Sequence, residues 1–367
     1  MTRVPTQLWR DGLGRAAVRS AQALLILTLV TVVVWAAVQL RLVVVPLLIA
    51  VLIAAAVSPV VTWLSRRGLP RGLAAWVTLL GGLTVFGGLS WLVGRAVRDQ
   101  WDELRQGAVE GVSQLRDYLA QGPLQIDDAQ LERAWEQAGK IVAGPSVQAG
   151  ALSGAVLLAE IVAGLFLGLV VLFFLLKDGA LISTFVRDFL PPRHTDRYDR
   201  VAVRSVEVLG GYVRGTAVIA LVDAVLIGAA LAILGVPLAL PLAVVVFVAA
   251  FIPLLGATVA GFLAAVVALV SSGPVTALIV VAVVIVVNQV EGDVLAPVVL
   301  GASIKLHPLA ILLALSGGTI VAGIVGAILA VPFTGVAWAV VQAWPDGPSE
   351  RSDEAAAPPV PDRPVPG

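Results

Sequence analysis

No cysteine occurs in the 367 residues, which excludes disulfides, thiolate catalysis and cysteine-ligated metals. Histidine is almost as scarce. With His194 and His307 alone, a multi-histidine metal centre is excluded as well. Only Lys140, Lys177 and Lys305 are lysine among 24 basic residues. Charge of either sign is in short supply: Asp, Glu, Lys and Arg make up 13% of the chain, against about a quarter in soluble domains. The formal net charge is zero, so no bulk attraction for nucleic acid or another polyanion is present. The G-x-x-x-x-G-K-[ST] phosphate loop is missing, and two distant histidines give no Ser/His/Asp constellation. These absences point away from an enzyme and imply no cofactor and no metal.

What fills the chain instead is apolar: 59% of residues are hydrophobic, gathered in charge-free runs. A bilayer-spanning helix needs about 20 apolar residues, and several runs qualify. Residues 1–20 form a basic arm with Arg3, Arg10, Arg15 and Arg19. Residues 21–93 hold three spans (21–40, 42–64 and 73–93), separated by a loop with Arg66, Arg67 and Arg71. The third is rich in glycine, and small residues let helices approach closely in lipid. The apolar core of the first run is too long, and its cleavage signal too poor, for a removed leader.

Residues 94–150 differ, with six basic and nine acidic side chains. Val97, Trp101, Leu104, Ala108, Val112, Leu115 and Leu119 recur at helical spacing, as do Leu131, Trp135, Ala138 and Val142 after the break at Gly122-Pro123. This predicts a small extramembrane helical insert. A fourth span covers 151–176, a basic polar loop 177–205, and a membrane bundle 206–342. Within that bundle, 241–270 is interrupted by Pro253 and Gly256, and 308–342 by Ser316-Gly317-Gly318. Each block is either one kinked crossing or a re-entrant hairpin; one crossing apiece gives eight spans. The Pro-rich tail 343–367 should remain unfolded. The expected fold is therefore all-α, a polytopic membrane bundle of about eight spans with broken or re-entrant helices in its C-terminal half. Arginine excess on alternate loops places the N-terminus in the cytoplasm and the insert outside the cell membrane.

Ionisable residues at membrane depth are costly and so mark function by default. Asp223 sits deep in the fifth span. Arg214 lies nine residues earlier on the opposite face, and Glu160 is in the fourth span. The densest polar group is in "VVNQVEGDVLAPVVLG". The 13 apolar residues 275–287 are too few to cross alone, so the helix must continue through Asn288, Gln289, Glu291 and Asp293. At helical spacing Asn288 and Glu291 share one face, and Gln289 and Asp293 the adjacent one. Gly292 and Pro297 loosen the helix there. Amides, carboxylates and freed carbonyls suit a polar solute or a monovalent cation losing its water. A cluster of this kind could equally be a solvated helix end or a structural polar contact.

The C-terminal half resembles the autoinducer-2 exporter family of bacterial membrane proteins. The resemblance rests on "LLKDG" (175–179), "GGYVRG" (210–215), "LGVPLALPLAVVVFVAAFIPLLG" (234–256), "NQVEGDVLAPVVLG" (288–301), "LHPLAILLALSGG" (306–318) and "GAILAVPFTG" (326–335). It implies an inner-membrane transporter for a small polar solute, whether export of the signal autoinducer-2 or sodium/proton antiport, and a possible homo-oligomer. The family's Gln-x-x-Glu pattern falls on Asn288 and Glu291, with asparagine one methylene shorter. Thr216 stands where an amide or a small residue is usual after "YxRG". On this reading Asn288, Gln289, Glu291, Asp293, Asp223 and Arg214 line the pathway. Pro253, Gly256, Pro297, Gly317 and Gly318 supply the helix breaks that gate it. A passive channel and a membrane scaffold using the insert for partners are the competing readings.

Overall fold

The computed structural model describes residues 12–100, 146–192, 195–253, 256–300 and 307–343. Among these every regular element is a helix. In order they are α1 (Gly12–Gln39), α2 (Arg41–Arg66), α3 (Arg71–Asp99), α4 (Ser146–Asp188), α5 (Thr195–Ile233), α6 (Ala239–Ala249), α7 (Gly256–Ser272), α8 (Pro274–Val290), a π-helical turn (Glu291–Leu295), α9 (Ala296–Leu300) and α10 (Pro308–Ala343). Helix is what a lipid-facing chain must adopt, because hydrocarbon offers no partner to the backbone. Seven of the described helices are long and apolar enough to cross a membrane. Their outer faces are apolar and uncovered, with Leu25, Phe86, Phe166 and Trp338 among the exposed side chains.

The expected helices of the insert fall mainly on residues 101–145, outside the described residues, as do most of the basic arm and the tail. The loop expected at 177–205 is largely helical. It continues α4 through a bend at Asp178 and begins α5 at Thr195. Polar side chains pair there across the two helices, Arg187 with Asp199 at 3.2 Å and Ser183 with Tyr198 at 3.5 Å. Charged residues thus cover helix ends that leave the apolar region, where sequence polarity alone suggests a loop.

The two interrupted blocks resolve differently from single crossings. The first forms two short antiparallel helices, α6 and α7, packed on each other and on α5 and α8. With 11 residues, α6 is about 16 Å long, half a bilayer core. The tight connection from α5 depends on Gly235, whose positive φ of 68° completes a Schellman cap with the Val236 amide donating to the Leu231 carbonyl. Pro253 lies in the α6–α7 link, and Gly256 begins α7 in a position where a methyl group would collide with the Ala249 carbonyl.

The second block, α10, is helical through Gly317 and Gly318 and breaks instead at Ala322 and Gly323. Gly323 has a φ of 59°. Gly318 and Gly326 would stand about 12 Å apart in a straight helix, yet a methyl on either would strike the other's carbonyl oxygen. The chain therefore doubles back, and α10 is a helical hairpin whose arms meet glycine to glycine. Gly318, the last residue of the Ser-Gly-Gly sequence, is the close contact between the arms, and the turn lies five residues beyond it.

Two cores flank α5. Its early part packs Leu209 against Leu52 and Ala55 of α2 and Leu329 of α10. Its later part packs Ala224, Ile227 and Leu231 against α6, α7 and α8, where Gly261 admits Val284 to close approach. The cysteine-free sequence makes the α10 hairpin directly testable. Single cysteines replacing Leu309 and Gln342, both exposed, should react with an impermeant thiol reagent from the same side of sealed vesicles. Labelling from opposite sides would mean that α10 crosses the membrane.

Candidate functional site

The buried positions of α5 include Leu209, Tyr212, Thr216, Ile219, Asp223, Ile227 and Leu231, at steps of three or four that keep one face turned inward. Asp223 occupies an ordinary core position in that seam. It is 2% exposed, and neither carboxylate oxygen has a hydrogen-bond partner. An unpaired buried ionisable group carries a large desolvation penalty, and no capping or packing role accounts for it. Asp223 also lies between the two cores.

A second carboxylate comes from the π turn that continues α8. The buried stripe of α8 runs Ala277, Val280, Val284 and Val287, and the next step of four is Glu291. Glu291 is half-buried and within electrostatic range of Asp223. Asn288, on the same side, is half-buried with its amide oxygen enclosed and without a partner. Gln289 and Asp293 are exposed and bond to each other. The structure therefore divides the four residues into a half-buried pair, Asn288 and Glu291, of which Glu291 is within electrostatic range of Asp223, and an exposed pair that satisfies itself. The helix widens into a π turn at Glu291–Leu295. Pro297 cannot donate to the Asp293 carbonyl four residues back, and π turns commonly mark functional positions. Among the described residues no group of three or more His, Asp or Glu is placed to hold a metal.

Arg214 is not part of this cluster. Its Nη1 donates to the carbonyls of Ala55 (3.3 Å) and Ala56 (3.1 Å) of α2. The cause lies in α2: Pro59 has no N–H, so the Ala55 carbonyl loses its helical donor. Ser58 Oγ (3.1 Å) and Arg214 replace that donor. Gly210 makes the approach possible, since a methyl there would stand 2.5 Å from the Ala55 oxygen. The "GGYVRG" segment thus fastens α5 to the proline-broken α2. Glu160, half-buried, and the exposed Arg41 line a separate, mostly apolar cavity of about 1050 Å³ between α1, α2, α4 and α10. Thr216, which departs from the family pattern in the sequence, is buried on the same face of α5 seven residues before Asp223.

A bundle of broken helices around partnerless polar groups at membrane depth defines the class: a multi-pass helical membrane transporter. The chain belongs to the AI-2E family of transporters, whose family pattern matches residues 24–346. Relatives agree. "Putative transport protein MT0215" of Mycobacterium tuberculosis is 40% identical over 311 residues, covering 84% of this chain and 85% of its own. "Putative transport protein YrrI" of Bacillus subtilis is 31% identical over 304 residues, covering 80% and 84%.

The Arg214 assignment predicts a coupled pair of substitutions. Arg214→Leu should cost about 1–3 kcal/mol by stranding the Ala55 carbonyl. In a Pro59→Ala background, which restores the missing N–H, the cost should fall clearly. Thermal unfolding in detergent across the four-member cycle checks it, and additive effects would contradict the assignment.

Proposed function

We propose that this chain is a secondary transporter in the cell membrane that moves a small polar solute, with autoinducer-2 the leading candidate, coupled to a proton or sodium gradient. The observation that carries the reading is the Asp223 carboxylate, buried without a hydrogen-bond partner and within electrostatic range of Glu291, whose helix-face neighbour Asn288 has an enclosed, unpartnered amide oxygen. Two carboxylates held close together in a poorly hydrated place favour taking up a cation between them. A proton or a sodium ion supplies that charge, and Asn288 offers an acceptor to the ion or the solute. Basic loops facing the cytoplasm set the orientation in this proposal.

The helix breaks fit alternating access. Half-helices ending inside a membrane present freed backbone groups to a solute and provide joints between rigid parts. The α6–α7 hairpin and the α10 hairpin pack on the two halves of α5. Rocking of one core against the other would open the Asp223 region to each side in turn.

The test is flux into liposomes holding the purified protein, first under a pH gradient and then under a sodium gradient, with autoinducer-2 as solute. Wild-type protein should accumulate the solute against its gradient under one of the two. Glu291→Gln and Asp223→Asn should each lower gradient-driven uptake at least 100-fold while the proteins remain folded. Unchanged coupled transport in Glu291→Gln would refute the coupling role, and single-channel currents without uphill accumulation would show a passive pore instead.

A further inference from the structure

A second cavity, of about 700 Å³, lies between α2, the start of α3, α4 and α5, away from the Asp223 cluster. Its chemistry is graded. One end is lined by apolar side chains including Val51, Ala54 and Leu209, and the other by Arg66, Arg71 and Lys177. Neither Arg66 nor Arg71 has a carboxylate partner among the described residues, while Lys177 pairs with Asp178 at 3.4 Å. One acid against three cations leaves the mouth positively charged.

Two further observations point to an anion there. Arg71 is the first residue of α3, a helix of 29 residues. Its first-turn N–H groups have no intrahelical acceptors, and the helix dipole favours negative charge beside them. Gly72 follows, and a methyl there would come within 3.9 Å of the Lys177 side chain, so the α4 cation lies against that helix start. The level in the membrane is marked by Trp63, exposed and stacked under the Arg67 guanidinium at 4.0 Å. Tryptophan and arginine side by side are typical of the headgroup zone.

We propose that this cavity binds an anionic phospholipid, its phosphate held by Arg66, Arg71 and Lys177 and an acyl chain lying along the apolar end. A free phosphate ion would use the basic rim alone and leave the apolar end without purpose, whereas a lipid anion matches both. The site gives the "LLKDG" segment a role that the transport pathway does not require. Lys177 reaches the rim because α4 bends at the following residue, Asp178. The proposal is independent of which solute is carried.

The experiment is native mass spectrometry of the purified full-length protein with phosphatidylglycerol, with phosphatidylcholine, and with inorganic phosphate as competitor. Phosphatidylglycerol should bind more tightly than phosphatidylcholine and resist displacement by equimolar phosphate. Each basic residue near an anionic headgroup contributes about fivefold, so Arg71→Gln should weaken binding about fivefold and Arg71→Lys should restore most of it. The triple change Arg66→Gln, Arg71→Gln and Lys177→Gln should weaken it about 100-fold; if that protein does not fold, the Arg71 pair decides. Equal binding of the two lipids, unaltered phosphatidylglycerol binding in Arg71→Gln, or ready displacement by inorganic phosphate would each overturn the proposal.

Discussion

The Asp223 carboxylate is the constraint around which the rest of the bundle is arranged. A core position on the central helix carries a group that apolar packing cannot satisfy. Leu209 below it and Ile227 and Leu231 above it belong to different cores, so the polar position falls where the two meet. A leucine at 223 would extend the apolar seam between them. In the proposed transport role, an ionisable residue there trades packing for chemistry, the usual pattern where stability gives way to function.

The remainder follows from backbone hydrogen bonding in lipid. Every break in a helix strands carbonyl or amide groups that hydrocarbon cannot satisfy, and three of the proline positions here have an identifiable response. At Pro59 the stranded carbonyl of Ala55 receives Arg214 and Ser58. At Pro46, α4 brings Gly164 and Gly168 against the proline ring, so this part of α2 is covered by close packing of small residues. Near Pro297 the helix widens into a π turn, and that widening begins at Glu291. Thus the breaks near α5's early half are sealed by partners. Those near Asp223 leave groups open, which is the difference expected between a fixed structural seam and a working site.

Much of this was legible in the sequence, and where it was not, the reasons are physical. The charge-free runs gave the spans, because apolar length in lipid has one regular solution. The 13-residue run before Asn288 correctly implied that Glu291 lies within a continuing helix. The step from Val287 to Glu291 then puts its side chain toward α5. The separation of Arg214 from Asp223 was also readable from a nine-residue spacing. Its role was not, because the pairing with Ala55 spans 159 residues and depends on an absent N–H in another helix. Gly317 and Gly318 looked like a break because glycine favours turns, yet glycine in lipid serves close helix contact equally well. Only the tertiary fold shows that Gly318 meets Gly326 and that the reversal is at Gly323. The polar stretch after α4 read as loop because sequence polarity does not separate a loop from a helix that has left the bilayer.

The central claim is that Asp223 and Glu291, from different helices, act as one unit. The most direct measurement is a double-mutant cycle of Asp223→Asn and Glu291→Gln on gradient-driven transport in liposomes. If the two carboxylates share one cation, the double variant should be about as impaired as either single variant, because removing one already disables the pair. Impairments that multiply would show two independent groups and contradict the account.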